Sequence, residues 1–430
     1  MSLNFDTPLS IQNMYKATFG LEKESLRSNE NGFLSHTKHP FTGNTHIDRD
    51  FCENQVEIVT DVWDSTVAVF KHISELHRTV VNELSNLESG KEIIWQFSNP
   101  PYVKGESDIP IASYKESLKG KEIYRKYLAE KYGKKKMLFS GIHFNFSFGD
   151  ELIEISRAEN KTDSFYEHKN KLYLELAKKM TKYSWLIVYL TAASPVMDGS
   201  FFDDTKLGKD VITPFSSARC SEIGYWNNFI PILKYDTLQS YAGSIQDYVD
   251  KGLLRSVSEL YYPIRLKPKG ENSLENLKNS GVNHIELRML DLNPLSPVGI
   301  FKEDIDFLHM LIIYLMSLDD EDFTDHEQIS AVKNVKRAAN FDDENTVIEF
   351  YGEKVSVKSA ALKVLCDMQD FFEKRKQETA TEIVIRQKEK ILHKNKRYAQ
   401  IIKDTYGKDY VKKGIQLSLT YADILKKETL

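Results

Sequence analysis

Cysteine is scarce. Cys52, Cys220 and Cys366 are the only three in 430 residues, and none sits in a CxxC spacing. That excludes a disulfide framework and a zinc ribbon, and it reads as a chain from a reduced, cytoplasmic setting. Excess charge of one sign is also missing. The net charge is −5 and the isoelectric point is near 6.2, so electrostatics give no case for nucleic acid or an acidic membrane as partner. Long apolar runs are absent too: 185–190 and 311–316 are far short of the ~20 residues that span a bilayer. The opening Met-Ser-Leu-Asn-Phe-Asp lacks the charged and apolar regions of a signal peptide. The expectation is a soluble cytoplasmic protein. Three chemical signatures are missing as well: GxxxxGK[ST], a dinucleotide fingerprint at a strand–helix turn, and HExxH. A bound nucleotide would therefore need metal ions and arginines to hold its phosphates.

What is present is ample material for a core. The chain is 41% hydrophobic and 28% charged, with no internal repeat, low-complexity tract or convincing linker. We read one unit over residues 1–430, with a helical C-terminal portion from about 371. Its lysine- and arginine-rich pattern is read as a solvated surface helix.

Local patterns supply the elements. Residues 1–19 read as a short helical lead-in. Residues 21–27 read as a strand ahead of an Asn31-Gly32 turn. Residues 55–59 read as a second strand. Residues 67–87 carry apolar side chains at helical spacing. Residues 122–132 read as a helix closing at Gly133. Residues 139–148 form the cleanest strand, and 163–190 a long core helix capped by Asp163 or Ser164. Residues 204–217 look loop-like and 261–267 extended. Residues 284–290 read as a strand and 305–318 as a buried helix.

Side chains two apart on a strand share a face. Each of the acid-bearing strands then has one apolar face and one bearing acids, a histidine or an arginine. Glu22 and Glu24 fall together, as do Gln55 and Glu57, then His143, Asn145 and Ser147, and then His284, Glu286 and Arg288. Asp50 stands just before its strand. One polar face on an antiparallel sheet is ordinary. One that collects carboxylates in place of Lys and Thr suits hard cations, Mg²⁺ or Mn²⁺, more than zinc. The residues alone leave two readings open: a multi-metal phosphoryl-transfer or ATP-dependent site, and an α+β protein whose function they do not declare.

The ordered motifs resemble one family. They are Gly20-Leu21-Glu22-Lys23-Glu24-Ser25-Leu26-Arg27, Asp50-Phe51 with Glu57 beyond, Gly141-Ile142-His143-Phe144-Asn145-Phe146-Ser147, Ala193-Ser194-Pro195, Ile223-Gly224-Tyr225, and Glu286-Leu287-Arg288 with Asp291-Leu292-Asn293-Pro294. Each alone is weak, but together and in order they resemble glutamate–cysteine ligase, most closely the ligase half of bifunctional glutathione-synthesising enzymes. The chain is too short for the ATP-grasp half that follows there, which leaves a stand-alone ligase or a fragment, and the terminal helical region suggests a complete ligase unit.

The resemblance implies a glutamine synthetase-like α+β fold: a curved, mainly antiparallel sheet with the active site on its concave face, backed by helices. It implies ATP as co-substrate, Mg²⁺ or Mn²⁺ as cofactor, and γ-glutamylcysteine as product, the first step of glutathione synthesis. A glutathione synthetase is the implied partner. By the same resemblance, Glu22, Glu24, Asp50, Glu57, His143 and Glu286 are metal-ligand positions. Arg288 would steady the transferring phosphoryl group, with Arg265 and Lys267 as further nucleotide contacts. Arg219 would fork onto a substrate carboxylate, and Tyr124, Arg125, Tyr225 and Tyr261 would line the amino-acid pockets. Two positions depart from the family: Met137 stands where some relatives carry a polar pocket residue, and Thr191-Ala192 replaces a Phe-Gly pair. Cys52 is read as a small buried residue. The alternatives are a γ-glutamyl ligase for another amine, a ligase half of a split or bifunctional system, and a metal-dependent hydrolase.

Overall fold

The spine of the protein is β1 (Ala17–Asn29), thirteen residues whose alternation sends Phe19 and Leu21 to one side and Glu22 and Glu24 to the other. The structure, a computed structural model, describes residues 2–87, 90–162 and 164–427. β1 shares a sheet with β2 (Ile47–Arg49), β3 (Gln55–Val59), β4 (Glu92–Ile94), β5 (Gly141–Phe148), β8 (Ile264–Lys267) and β9 (His284–Asp291). The order of this seven-stranded sheet is β2-β3-β1-β5-β9-β8, with β4 also on β1. Every pairing is antiparallel, so the mixed α+β class is as expected. Two short strands outside it, β6 (Val196–Asp198) and β7 (Asp210–Ile212), pair with each other. They correct the loop reading of 204–217 in part.

One face of the sheet is packed. Phe19, Leu21, Phe144, Phe146, Ile285 and Leu287 are buried there against α5 (Phe165–Thr191) and α8 (Lys302–Ser317). Both helices are buried along most of their length. Truncating one such phenylalanine to alanine costs about 3–5 kcal/mol. Lys23 belongs to this face by parity and is fully buried, its Nζ 3.1 Å from His77 Nδ1 on α2 (Thr66–Ser85). Burial brings the Lys23 amine down to about 7.

Several boundaries move. The lead-in helix is only α1 (Pro8–Asn13), because β1 begins at Ala17. Ser164 caps α5 by accepting from the Glu167 amide; Asp163 lies outside the described residues. Helices not foreseen are α4 (Asp150–Glu159), α6 (Leu238–Asp250), α7 (Leu274–Ser280) and α9 (Asp325–Ala338), along with the hairpin β10 (Val347–Phe350) and β11 (Glu353–Ser356). The helical C-terminal portion starts at α10 (Val357–Lys374), so position 371 falls inside a helix. It continues through α11 (Glu378–Leu392), α12 (Tyr398–Tyr406) and α13 (Tyr410–Lys427).

That tail is not a solvated surface helix. Tyr410 and Val411 are buried in a second apolar cluster with Leu26, Phe51, Cys52, Trp95 and Phe97. Trp95 and Tyr410 meet edge to face at 5.5 Å. Gly414 lies under the Trp95 ring, where a Cβ would overlap the indole. Among the described residues, no helix is long and apolar enough to cross a membrane.

Candidate active site

Strand register brings the acids together. Glu22 pairs with His143 across β1 and β5, and Glu24 with Glu57 across β1 and β3. Glu286 lies beside Asn145 on one side and Arg265 on the other. A bulge between β5 and β9 falls opposite His143, where β9 carries one extra residue around Arg288 and Met289. Bulges re-aim side chains, and Arg288 turns back onto Glu286. The polar face thus walls a cavity of about 230 Å³. It is lined by Glu22, Glu24, Asp50, Glu57, His143 and Glu286, by Arg125, Arg265, Lys267 and Arg288, and by Tyr124, Tyr225 and Tyr261. Every site residue expected from the sequence except Arg219 lines this cavity.

Arg219 sits beside it. It lines a small recess of about 40 Å³ with Tyr225, Tyr261 and Arg288, residues that also border the larger space. Its Nη2 donates to the Arg288 carbonyl at 3.0 Å, while its buried Nε has no hydrogen-bond partner. Gly141 is glycine for a packing reason: a Cβ there would overlap the guanidinium. Asp291 holds the loops that frame Arg219. Its Oδ2 accepts from the Ala193 amide at 2.9 Å and the Ser194 hydroxyl at 2.8 Å, and its Oδ1 accepts from Ser217 at 3.0 Å. The Ala193-Ser194-Pro195 and Asp291 motifs meet through these bonds. Arg125 is committed differently, because its guanidinium donates to the backbone carbonyls of Asp50, Lys121 and Arg49.

The electrostatics divide the cavity. At one end stand Glu24, Glu57 and Asp50. Burial first, and then the Asp50 charge, raise the Glu24 carboxyl to about 8 against the pull of Arg219 and Arg288. Burial and the charges of Asp50, Glu22 and Glu24 push Glu57 well up. At the other end Glu286 is crowded by cations. Arg288 Nη1 is 3.0 Å away, Lys267 Nζ 3.4 Å and Arg265 Nη1 3.9 Å. Burial opposes its ionisation, but these three charges hold its carboxyl well below the usual range. Between the ends, His143 Nδ1 is 3.1 Å from Glu22 Oε2 and its Nε2 is 3.8 Å from Glu24 Oε1. Burial and Arg288 depress the imidazole. His143 Nε2 has no hydrogen-bond partner, and Asn145 donates to the other oxygen of Glu22 at 3.0 Å.

This donor set fits a hard divalent cation. One ligand atom each from Glu22, His143 and Glu286 lies within 4.8 Å of the other two. The neighbouring acids are short of counter-charge, and one buried imidazole nitrogen is unspent. A larger cavity of about 820 Å³ opens from the same strand face and shares Glu22. Gly20, Asn145, Ser147, Lys169, Lys269 and His284 are among its walls.

Comparison with known proteins decides the family. The model of the family described as glutamate-cysteine ligase matches residues 5–253 and 231–338. The chain belongs to the glutamate–cysteine ligase family. Two curated relatives are bifunctional glutathione biosynthesis proteins. That of Listeria monocytogenes is 36% identical over 430 residues, 95% of this chain and 55% of the relative. That of Clostridium perfringens is 36% identical over 431 residues, 96% of this chain and 55% of the relative. The chain therefore spans about half the length of the curated relatives it matches. Among solved structures, the glutamate–cysteine ligase of Francisella tularensis, crystallised with AMP, superposes with a TM-score of 0.84 at 25% identity, covering 96% of this chain and 89% of that one. A bifunctional glutathione synthetase from Pasteurella multocida gives a TM-score of 0.82 at 26% identity, with coverages of 98% and 54%. Family membership and fold agree with what the motifs implied.

Sequence reasoning misses several cavity residues. It places Asn145 on the right face without a role. Leu128, Phe139, Ser258 and Asn272 go unmarked. Leu128 follows Tyr124 by four positions on α3 (Lys119–Tyr132), so helical spacing could have found it. Nothing local marks Ser258 or Asn272.

Proposed function

We propose that this chain ligates the γ-carboxylate of glutamate to the amine of cysteine, using ATP. The observation that carries the reading is the convergence of six acid and imidazole side chains with Arg265, Lys267 and Arg288 around one cavity. Family membership supports it, as does the AMP in the Francisella relative.

The roles follow from charge and shape. A γ-carboxylate oxygen attacks the terminal phosphorus, and the bond from that phosphorus to the departing ADP oxygen breaks. The amine nitrogen then attacks the acyl carbon. Phosphate leaves with its bridging oxygen, and the nitrogen sheds a proton. Two anions must approach each other, so the residues have to neutralise both. Arg288, Lys267 and Arg265 would take the phosphates. Glu22, Glu24, Glu57, His143, Glu286 and Asp50 would hold Mg²⁺ or Mn²⁺, which supplies charge neutralisation and polarises the phosphoryl oxygens. Arg219, with an unspent Nε–H, would bind a substrate α-carboxylate in the planar fork that arginine provides.

Tyr124, Tyr225 and Tyr261 would orient the amino acids. The Tyr225 and Tyr261 rings meet edge to face at 5.1 Å, a rigid wall. We place the acceptor side chain against Phe51, Leu128, Met137 and Phe139. That wall offers no charge partner, which suits a small uncharged side chain. The nucleoside would occupy the larger cavity beside Glu22. We read residues 1–430 as one catalytic unit, supported by the seating of α13 on Trp95. A glutathione synthetase, the activity named in the Pasteurella relative, is the downstream partner.

The test is phosphate release with a panel of amines. Release should require glutamate, cysteine and Mg²⁺ together. Release without any amine would point to a hydrolase. Equal rates with other amines would remove the cysteine assignment.

A further inference from the structure

Outside that cavity, three side chains meet where the segment before β2, the β3–α2 connection and α2 come together. His46 Nε2 and His72 Nδ1 each lie 3.9 Å from Asp61 Oδ2. One ligand atom from each residue falls within 4.8 Å of the other two. The rings stand edge to face, centroids 5.3 Å apart.

The remaining partners fix the tautomers. His46 Nδ1 is 2.9 Å from the Val59 carbonyl oxygen, which only accepts. The proton of neutral His46 therefore sits on Nδ1 and Nε2 carries a lone pair. His72 Nδ1 receives the Trp63 indole N–H at 3.0 Å and the Asp61 amide at 3.2 Å, so it too carries a lone pair. The His46 Nε2 and His72 Nδ1 lone pairs thus face the Asp61 carboxylate, close enough to share one ion, and the Trp63 and Asp61 N–H groups on His72 Nδ1 are what that ion would displace.

We propose that His46, Asp61 and His72 form a second metal site, selective for a divalent first-row transition ion of the Zn²⁺ class. Two imidazoles and one carboxylate favour zinc over magnesium, and a water would complete a tetrahedron. The Val59 carbonyl that orients His46 is the kind of outer contact that metal-bound histidines use. Asp61 is well exposed, which leaves an entry path. Val59, Thr60 and Val62 line the larger cavity, so the ion would pin the segment that forms that wall. The Trp63 and Asp61 N–H groups compete with the ion for the His72 lone pair. This makes Trp63 both a reporter and a brake.

The experiment uses the full chain, stripped with EDTA and then held in excess Mg²⁺ to occupy the hard-cation positions. Zn²⁺ is titrated by calorimetry with tryptophan emission followed in parallel. One equivalent should bind. His46→Ala or His72→Ala should weaken it by at least about tenfold, and Glu286→Gln should not. Trp63→Phe should bind Zn²⁺ more tightly and lose the emission response. Melting curves verify that each variant is folded. Zn²⁺ isotherms of folded His46→Ala and His72→Ala that match the parent would overturn the site. So would the absence of any uptake at one equivalent, which would leave only a proton between His46 and Asp61.

Discussion

Replacing Glu24 by glutamine should make the metal-free protein more stable at pH 8 while destroying activity. The reasoning is electrostatic. Glu24 is buried beside Asp50 and Glu22, and its folded-state value rises from 4.5 to about 8. A carboxyl whose value is raised by folding favours the folded state below its unfolded value. That favour is lost as pH climbs through the folded value. The window therefore runs from about pH 4.5 to 8. Every pH unit between those two values is worth ~1.4 kcal/mol, so at pH 8 the ionisable Glu24 costs the fold about 4 kcal/mol relative to a neutral side chain. With an unfolding entropy of ~2 cal/mol/K per residue, that is about 4–5 °C in Tm for a chain of this length. The assay is Tm against pH in EDTA, repeated in millimolar Mg²⁺. The parent should lose Tm from pH 5 to 8 in EDTA, and Mg²⁺ should restore it most at the alkaline end. Glu24→Gln should give a flatter profile with a smaller Mg²⁺ response. Parallel profiles for the two proteins would refute the reasoning.

Other substitutions separate the parts of the site. Glu286→Gln should abolish ligation and also lower Tm by a few degrees, because Arg265, Lys267 and Arg288 lose their shared anion and breaking a buried pair costs about 3–5 kcal/mol; added phosphate should recover part of that Tm. Gly141→Ala should displace the Arg219 guanidinium and raise the amino-acid KM by about tenfold or more, with a smaller change in ATP KM, measured by steady-state kinetics. Asp291→Asn turns an acceptor of three hydrogen bonds into a partial donor; it should cost about 1–3 kcal/mol in urea unfolding and shift KM in the same direction as Gly141→Ala. Gly414→Ala should overlap Trp95 and destabilise by about 1–3 kcal/mol, whereas a merely solvated tail would leave the unfolding midpoint unmoved.

Much of the fold is legible where one period dominates. Phe144, Phe146 and Phe148 alternate strictly, and β5 emerges almost to the residue. The missed helices have signals that other residues mask. In α6, Leu238, Tyr241, Ala242 and Ile245 follow helical spacing, but Ser, Gln and Gly between them read as loop. α9 even opens with a capping box from Thr324 to Glu327, the kind of start signal a sequence carries openly. The tail misleads because most of its lysines lie outside, Lys390 being buried against Asp304, and its buried apolar residues, Ala360, Val364, Met368, Phe371 and Phe372, begin before the charge does. The site divides in the same way. Which acids share a face is a local property, and it is readable. That Glu24 sits opposite Glu57, or that Asp61 lies between His46 and His72, depends on register and packing. No spacing along the chain encodes either. The extra β9 residue opposite His143 is likewise invisible to a simple two-residue alternation, although that alternation does place Arg288 beside Glu286.

The cavity's uneven charge argues for a direction of binding. Among the described residues, Glu57 has no cation within 4.0 Å, and Glu24 has only the depressed His143 imidazole at 3.8 Å. Glu286 has three cations within 3.9 Å. A divalent ion gains most at the Glu24–Glu57 end, where it relieves repulsion without displacing a protein cation. A polyphosphate gains most at the Arg288–Lys267 end, where the bases already lie together in one small space. Either ligand alone would leave the opposite charge under-compensated in a low-dielectric pocket. Metal and phosphate entering together would neutralise both ends. Glu22, bonded to His143 and Asn145 at the centre of the row, stands at the boundary between the two charge regions and the larger cavity. From that position a nucleotide with its phosphates toward Arg288 would extend its nucleoside past Asn145 and Ser147, away from the tyrosine-lined recess that holds Arg219. On the proposed reading, the two substrates would then approach the central acids from opposite sides, the geometry that an in-line transfer needs.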